Sequence, residues 1–476
     1  MNPESEQIHH ENSTPEETLT HSRFTGGTEN SWCRAVMGGT GITVLSLLLS
    51  KPMDPTIIQE TLQTIMTQSP LLRHKLVWES NSKNPSFSLS SNPSPNFEII
   101  DTSPTLKLLG VLSDQTHLGN FIGDAFHCLL EHELNRNSWC DGLNEKPMNM
   151  FFVTLYFLGG SHSILSLRLH TAICDRASAV CILRKILRLV YERESGVIGA
   201  SETGDVVHEG IEDLIPKGKA DKPFWAHGID LLGYSLGSKR LTNIQFQETK
   251  LPRSSQMIRL QMGYEETGRL LAECRRKGVK LCGAIAAAGL MAVSLSKQLH
   301  NQCENYAIVT LIDCRKMLEP ALHDDNLGFY HSAIMNTISI NGEEDLWQLA
   351  NRFKEALNGT ISRNKHFTDM SDVNYLMCKA ISCPAFTPYS SLRTSFMVVF
   401  EDTLMDDTQD LQEELGVLDY VGCSSVHGVG PSIAVFDTVR NGQLDCACVY
   451  PSPLHSRKQM HGLIENMKNI LTGASG

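Results

Sequence analysis

The stretch LSLRLHTAICDRAS, from Leu165 to Ser178, constrains the fold more than any other part of the chain. Up to His170 the residues alternate as in a β-strand, and after Asp175 the apolar residues recur at helical spacing. A strand that runs directly into a helix is typical of proteins that pack helices against sheets. Two ionisable side chains, His170 and Asp175, mark the junction, so this segment is also a candidate functional site.

The same mixture of strands and helices continues on both sides of a region that lacks periodicity. Since 476 residues are too many for one ordinary core, we expect two lobes. The predicted fold class is α+β, with mixed sheets and helices in each lobe. The predicted division is a disordered tail at 1–22, an N-terminal lobe at 23–195, an inter-lobe connection at 196–248 and a C-terminal lobe at 249–476.

Local signals place individual elements within this frame. Asp54 followed by Pro55 predicts a helix start, because aspartate caps and proline suits the first turn. Gly159 and Gly160 predict the turn between two strands. Asn441-Gly442 predicts a tight hairpin near the C-terminus, because both positions of such a turn favour positive φ.

Composition excludes several classes of partner. A net charge of -12 without a basic stripe argues against nucleic acid. The longest apolar run, GITVLSLLLS, is about half of what a bilayer span needs. The N-terminal residues do not resemble a secretory signal, and the fourteen cysteines are scattered without zinc-ligand spacing. We therefore expect a cytoplasmic protein with reduced thiols, no membrane span and no metal site.

The junction residues resemble a motif of the CoA-dependent acyltransferase superfamily, which has the chloramphenicol-acetyltransferase fold. That motif, HHxxxDG between a strand and a helix, aligns with HTAICDR without a gap. Three other segments also resemble this superfamily: DPTIIQETLQTIMTQSPLLRHKL, GVKLCGAIAAAGLMAVSL and LIDCRKMLEPALHDDNLGFYHSAI. The DFGWG signature of the plant branch is absent, which favours the alcohol acetyltransferase branch over it. The resemblance implies two lobes of similar topology with a tunnel between them.

The resemblance also implies roles for single residues. In the superfamily the second histidine is the general base, and the aspartate is structural and pairs with an arginine. His170 aligns with the first histidine and Asp175 with the aspartate, but Thr171 stands at the position of the base and Arg176 at that of the glycine. A threonine hydroxyl cannot accept a proton near neutral pH, so the position of the base is degenerate.

Other residues are candidates for the missing role. Successive strand side chains face opposite sides, so a regular strand turns Thr171 toward the tunnel and His170 away from it, whereas a bulge would re-aim His170. His331 and His427 are alternative bases from the second lobe. The resemblance places Arg315 and the turn at Gly328 near the tunnel.

Two competing interpretations come from short patterns. GYSLG, with Ser235 at its centre, matches a nucleophile elbow, but it lacks the following helix that this motif requires. Cys174 lies four residues from His170 and could form a Cys/His pair, although a small buried thiol explains it as well. We therefore keep the resemblance to the acyltransferase superfamily as the main interpretation.

Two functions therefore remain open. The first is an acyltransferase that moves an acyl group from acyl-CoA, as a co-substrate, to a small alcohol or amine. The second is a non-catalytic relative that binds an acyl thioester or a small molecule. No permanently bound cofactor is expected, and the resemblance implies a monomer.

Overall fold

The structure is a computed structural model that describes residues 19–79, 82, 84–92, 94–113, 121–140, 146–160, 162–196, 209–223, 225–228, 241–297, 303–383 and 391–474. The strands are Leu19–Phe24 (β1), Thr40–Leu49 (β2), His74–Val77 (β3), Ser86–Ser90 (β4), Asn96–Ile100 (β5), Met148–Asn149 (β6), Phe151–Gly159 (β7), His162–His170 (β8), Ser254–Met262 (β9), Glu304–Asp313 (β10), His331–Ile340 (β11), Arg393–Phe400 (β12), Leu404–Asp406 (β13), Val417–Val426 (β14), Gly430–Arg440 (β15) and Gln443–Ser452 (β16). The α-helices are Gly27–Met37 (α1), Pro55–Gln68 (α2), Thr102–Ser113 (α3), Phe121–Asn135 (α4), Arg176–Glu194 (α5), Tyr264–Lys277 (α6), Leu281–Lys297 (α7), Leu346–Ile361 (α8), Lys365–Thr368 (α9), Met370–Ser382 (α10), Gln409–Leu415 (α11) and Arg457–Gly473 (α12).

The N-terminal lobe is built on a five-stranded sheet in the order β14-β2-β8-β7-β5. Its central strands β2 and β8 are antiparallel, with Ile42 opposite His170. Helices α2 and α5 pack on one face of this sheet, and α3 and α4 pack on the other. A smaller sheet, in the order β1-β4-β3-β6, adjoins it. Because both faces of the central sheet are covered, β2 is buried along its whole length.

The C-terminal lobe is built on a seven-stranded mixed sheet in the order β11-β10-β12-β15-β16-β9, with β13 paired to β15. Strands β10, β12 and β15 are parallel, whereas β11, β16 and β9 are antiparallel to their neighbours. Helices α6, α7, α8 and α12 cover one face of this sheet. The fold class predicted from the sequence, α+β with mixed sheets in two lobes, is confirmed.

The predicted domain boundaries divide the chain into consecutive segments, whereas one of the observed sheets combines strands from both halves of the chain. Strand β14 comes from the C-terminal half, yet it pairs with β2 and becomes an edge of the N-terminal sheet. The predicted tail overlaps strand β1 at residues 19–22, and its remaining residues lie outside the described part of the chain. The two lobes are therefore joined by a shared sheet as well as by the connection between them.

The local turn and cap signals are confirmed. The Asp54 side chain accepts a hydrogen bond from the backbone N–H of Thr56 and caps α2. Asn441 and Gly442, between β15 and β16, have φ values of 52° and 71°. Gly159 and Gly160 also have positive φ at the end of β7. Each of these cap and turn signals depends on a few neighbouring residues only, which explains why the sequence alone predicts them.

Across the described residues, no single helix has the length and apolar character needed to span a membrane, and only the bent pair α6 and α7, which meet at 103°, meets the criterion together.

Candidate functional site

A cavity of about 1160 Å³ lies between the two lobes. Its N-terminal wall comes from β2 and from the junction between β8 and α5, which includes Thr171, Asp175 and Arg176. Its C-terminal wall comes from β10, β11, β12 and β15, together with helix α10, and β14 closes one side. The predicted motif therefore lies beside a cavity that both lobes form.

His170 lies behind this cavity and does not contribute to its lining. Its ring is fully buried and perpendicular to that of Trp139, with the ring centroids 5.2 Å apart. Nδ1 accepts a hydrogen bond from the backbone N–H of Ala172 at 3.1 Å. Burial lowers the pKa of His170 to about 3, so the ring is neutral at physiological pH. This geometry gives His170 a packing role and no access to a substrate.

Thr171 follows the last residue of β8, begins a short 3-10 turn and lines the cavity. Its hydroxyl donates to the backbone carbonyl of Gly41. Its Oγ1 lies 2.9 Å from the Oγ1 of Thr43, which lies 2.8 Å from the Oγ of Ser424. Since the proton of Thr171 is committed to the carbonyl, Thr43 donates to Thr171 and Ser424 donates to Thr43. This row of hydroxyls satisfies its own hydrogen bonds and supplies no base.

Asp175 is the centre of a buried polar cluster that joins the two lobes. It caps α5 by accepting from the backbone N–H of Ser178 at 2.9 Å. Its carboxylate also accepts from the guanidinium of Arg315, at 2.8 and 2.9 Å, and from the backbone N–H of Tyr330 at 2.9 Å. Burial by itself would raise the pKa of Asp175, but the Arg315 cation and the bond to His331 hold that pKa far below its usual range. Asp175 is therefore ionised at neutral pH.

His331, one of the two alternative bases, is brought to Asp175 by the start of β11. Its Nδ1 lies 3.0 Å from the Oδ2 of Asp175, and the residue lines the cavity. Because a carboxylate only accepts, Nδ1 of the neutral ring carries the proton, which leaves the lone pair on Nε2. Nε2 makes no hydrogen bond to the residues that the structure describes. His331 is thus an oriented imidazole with one free basic nitrogen.

Arg315 and Gly328 hold this cluster from behind and do not line the cavity. Arg315 is 1 % exposed and also pairs with Asp313 at 3.1 Å. Gly328 has a φ of 152°, and its carbonyl accepts from the backbone N–H of Asp175 and from the hydroxyl of Ser178. These contacts press the turn before β11 onto the start of α5. Both residues therefore position the site without lining the cavity.

His427, the second alternative base, lies away from Asp175 and is absent from the cavity lining. Its Nδ1 is 3.0 Å from the hydroxyl of Ser255, and burial, reinforced by the nearby Arg393 cation, lowers its pKa to about 4. A Cβ at Gly39 would lie 2.0 Å from its Nε2, so the ring is packed against the glycine backbone. This arrangement is that of a structural histidine.

Of the two competing patterns, only the one at Cys174 lies within the described residues. Burial raises the pKa of the Cys174 thiol well above its usual value, so it remains protonated, although it lines the cavity. Ser235 lies outside the described residues.

Arg176 occupies the position of the motif's glycine and reaches across to the C-terminal lobe. Its guanidinium pairs with Asp437 at 3.0 Å and lies 4.6 Å above the centre of the Phe400 ring. Neither contact follows from a local pattern, because Asp437 is 261 residues away in the chain. The pairing of Asp175 with His331 was equally invisible in the sequence, since 156 residues separate them.

We expect the charge of Asp175 to be important for stability. Asp175→Asn keeps the size of the side chain but leaves the buried Arg315 without its main counter-charge, so the free energy of unfolding should fall by about 3–5 kcal/mol. Urea unfolding at pH 7 measures this change. Glu194→Gln, which breaks the more exposed pair with Lys51, is the control and should cost much less. Equal losses in the two variants would contradict the prediction.

Comparison with known proteins connects this geometry to a fold. Neither a protein-family model nor a curated protein sequence matches the chain. Solved structures do match it. The TRI3 trichothecene 15-O-acetyltransferase from Fusarium sporotrichioides has a TM-score of 0.67 at 10% identity, covering 95% of this chain and 94% of that chain.

Two further structures match at similar levels. Polyketide synthase associated protein 5 from Mycobacterium tuberculosis has a TM-score of 0.63 at 13% identity, covering 95% of this chain and 99% of that chain. The first condensation domain of the calcium-dependent antibiotic synthetase has a TM-score of 0.60 at 12% identity, covering 95% of each chain. At these identities the likeness concerns the fold. The chain therefore shares the two-lobed fold of these acetyltransferase and condensation-domain structures, and this fold agrees with the α+β architecture that the sequence predicted.

Proposed function

We propose that this protein is an acyltransferase that moves an acyl group from a CoA thioester to an alcohol or amine, with His331 as the general base. The observation that carries the proposal is the hydrogen bond of 3.0 Å between Nδ1 of His331 and Asp175 at the wall of the inter-lobe cavity. A buried carboxylate that orients a histidine is a recurrent way to present a basic nitrogen to a substrate.

In this mechanism Nε2 of His331 takes the proton of the acceptor hydroxyl or amine while the acceptor atom attacks the thioester carbonyl. The tetrahedral intermediate then collapses, the carbon–sulfur bond breaks, and the CoA thiolate receives the proton from the imidazolium. Asp175 stabilises the imidazolium, and Arg315 keeps Asp175 ionised. The products are an ester or amide and free CoA, with no other reactant required.

The charges of the cavity support an anionic co-substrate such as acyl-CoA. Lys379 and Arg393 line it, in a chain whose net charge is -12, and Arg393 donates to backbone carbonyls that carry no charge. Arg176 also lines it, but Asp437 offsets its charge. Among the described lining residues, Asp175 is the carboxylate, and Arg315 already compensates it. A cavity that concentrates positive charge in an acidic protein favours a negatively charged ligand.

The direct test is incubation of the purified protein with acetyl-, octanoyl- and palmitoyl-CoA and a panel of alcohols and amines. Release of free thiol that depends on the acceptor would support the proposal. The second function, a protein that binds without turnover, is favoured by the closed hydroxyl row at Thr171. Binding of acyl-CoA by calorimetry without thiol release would favour this second function.

A base placed at the motif's own position should partly replace His331. In a His331→Ala background, Thr171→His puts an imidazole where Thr171 now faces the cavity, and we expect transfer to recover by at least about tenfold. Thr171→Val in the same background removes the hydroxyl without adding a base and serves as the control. If the histidine variant is no faster than the valine variant, position 171 does not face the reacting atoms.

A further inference from the structure

We infer that the acceptor is a bulky, flat and mostly apolar molecule, such as a polycyclic alcohol, which lies on a platform formed by four strands. This inference rests on the proposed function and names its substrate class. The platform consists of the cavity-facing side chains of β11, β10, β12 and β15, which are Ala333, Met335, Ala307, Val309, Leu311, Val398, Phe400, Ala434 and Phe436.

The strand registers align these side chains in rows. Met335 pairs with Val309, Val309 with Val398, and Val398 with Ala434, so one row crosses all four strands. Three strand spacings make this row ~14 Å wide. Along β10 the lining residues run from Ala307 to Leu311, which is ~13 Å. The platform is thus nearly as wide as it is long.

The two faces of these strands differ in what covers them. Ile308 and Ile312, on the opposite face, are fully buried against the helices of the C-terminal lobe. Val309, Leu311 and Val398, on the cavity face, remain partly exposed. Apolar side chains left uncovered at the floor of a cavity are typical of a surface for an apolar ligand.

The shape of the floor favours a broad molecule over a single chain. An extended alkyl chain would cover one or two strands, whereas a fused ring system can contact all four. The small, partly exposed side chain of Ala333 leaves room at the β11 edge of the floor, whereas Ala434 at the β15 edge is buried. The cavity volume of about 1160 Å³ also exceeds the range of about 300–1,000 Å³ that is usual for small-molecule pockets.

The position of His331 assigns the platform to the acceptor. His331 lies two residues before Ala333 on the same strand, and its ring centroid is 6.0 Å from that of Phe400. The acceptor hydroxyl must come within hydrogen-bond reach of Nε2 for the proton to be taken. The remainder of the acceptor then extends over the neighbouring strands.

The experiment measures binding and turnover separately. Calorimetry with the full chain should show that dehydroepiandrosterone, a steroid alcohol, binds at least about tenfold more tightly than dodecanol or isoamyl alcohol. Thiol release from acetyl-CoA should follow the same order. Val398→Phe, at the centre of the platform, should weaken steroid binding at least about tenfold and change the binding of isoamyl alcohol much less. Thr242→Val, at a cavity residue that belongs to none of the four strands, leaves the side-chain volume nearly unchanged and should behave as the wild type.

The outcomes separate the two proposals. Steroid binding without thiol release would retain the platform and overturn the proposed function. Thiol release with isoamyl alcohol or dodecanol, but neither binding nor turnover of the steroid, would overturn the platform and retain the function. Ala333→Phe repeats the test at the edge of the platform, so that a folding defect in one variant does not decide the result.

Discussion

His331→Ala is expected to lower kcat for acyl transfer by about 10²–10⁴-fold, because it removes the basic nitrogen that Asp175 orients toward the cavity. His331→Gln should be equally slow, since an amide keeps a hydrogen bond to Asp175 but cannot take a proton at neutral pH. The affinity for acyl-CoA, measured by calorimetry, should change little in both variants. Free thiol release under saturating acyl-CoA gives the rate.

Two other histidines provide matched controls for this result. His323→Ala removes an exposed histidine from the segment between β10 and β11 and should leave the rate unchanged. His170→Leu alters the core behind the cavity and should retain transfer. If His170→Leu abolished transfer while His331→Ala remained within about threefold of the wild type, the assignment of the base to His331 would be wrong.

Acidification is expected to unfold the protein near pH 5. Burial lowers the pKa of six histidines below the ordinary value of 6.5. The pKa falls to about 3 for His170 and His455 and to about 4 for His74 and His427, and it is also lowered for His132 and His366. Between pH 6.5 and pH 4 the histidines with a pKa of about 3 or 4 are protonated in the unfolded chain but remain neutral in the folded chain. Their contribution to the free energy of unfolding is therefore fully present above pH 6.5 and is lost as the pH falls toward 4.

The size of this effect follows from proton linkage. Each histidine with a pKa of about 3 or 4 lowers the free energy of unfolding by about 1.4 kcal/mol per pH unit. The four histidines of this kind together lower it by several kcal/mol between pH 6.5 and pH 5. This loss is comparable with the whole net stability of a typical domain, about 5–15 kcal/mol. Asp175 acts in a separate window, because its lowered pKa gives stability that is lost only below pH about 4.

Urea unfolding at pH 8, 7, 6 and 5 measures the predicted slope. His170→Leu removes one of these linked groups and should reduce the slope between pH 6 and pH 5 by up to about 1.4 kcal/mol per pH unit. His461→Gln, at an exposed position, is the matched control for the loss of a histidine. A free energy of unfolding that is the same at pH 5 and pH 7 would show that these histidines do not remain neutral in the folded state.

The fold could be predicted because its signals are local. Alternation before His170 and helical spacing after Asp175 depend on neighbours two to four residues away, and both elements form as predicted. Thr171, the first residue after that strand, lines the cavity, and His170 does not. The pairing of β14 with β2 in the N-terminal sheet was not predictable. Which sheet a strand joins depends on pairing with residues far away in the chain, and the sequence of the strand itself does not indicate it.

The sequence by itself determined the two-lobed α+β architecture, the place of the motif at a strand–helix junction and the lack of a base at position 171. Only the tertiary structure decided that His331 meets Asp175, that Arg315 holds the cluster from behind the wall and that apolar side chains from four strands line one cavity. Hydrophobic periodicity is set by the faces of single elements, whereas these contacts join groups more than a hundred residues apart, and their distances exist only after the lobes have packed together.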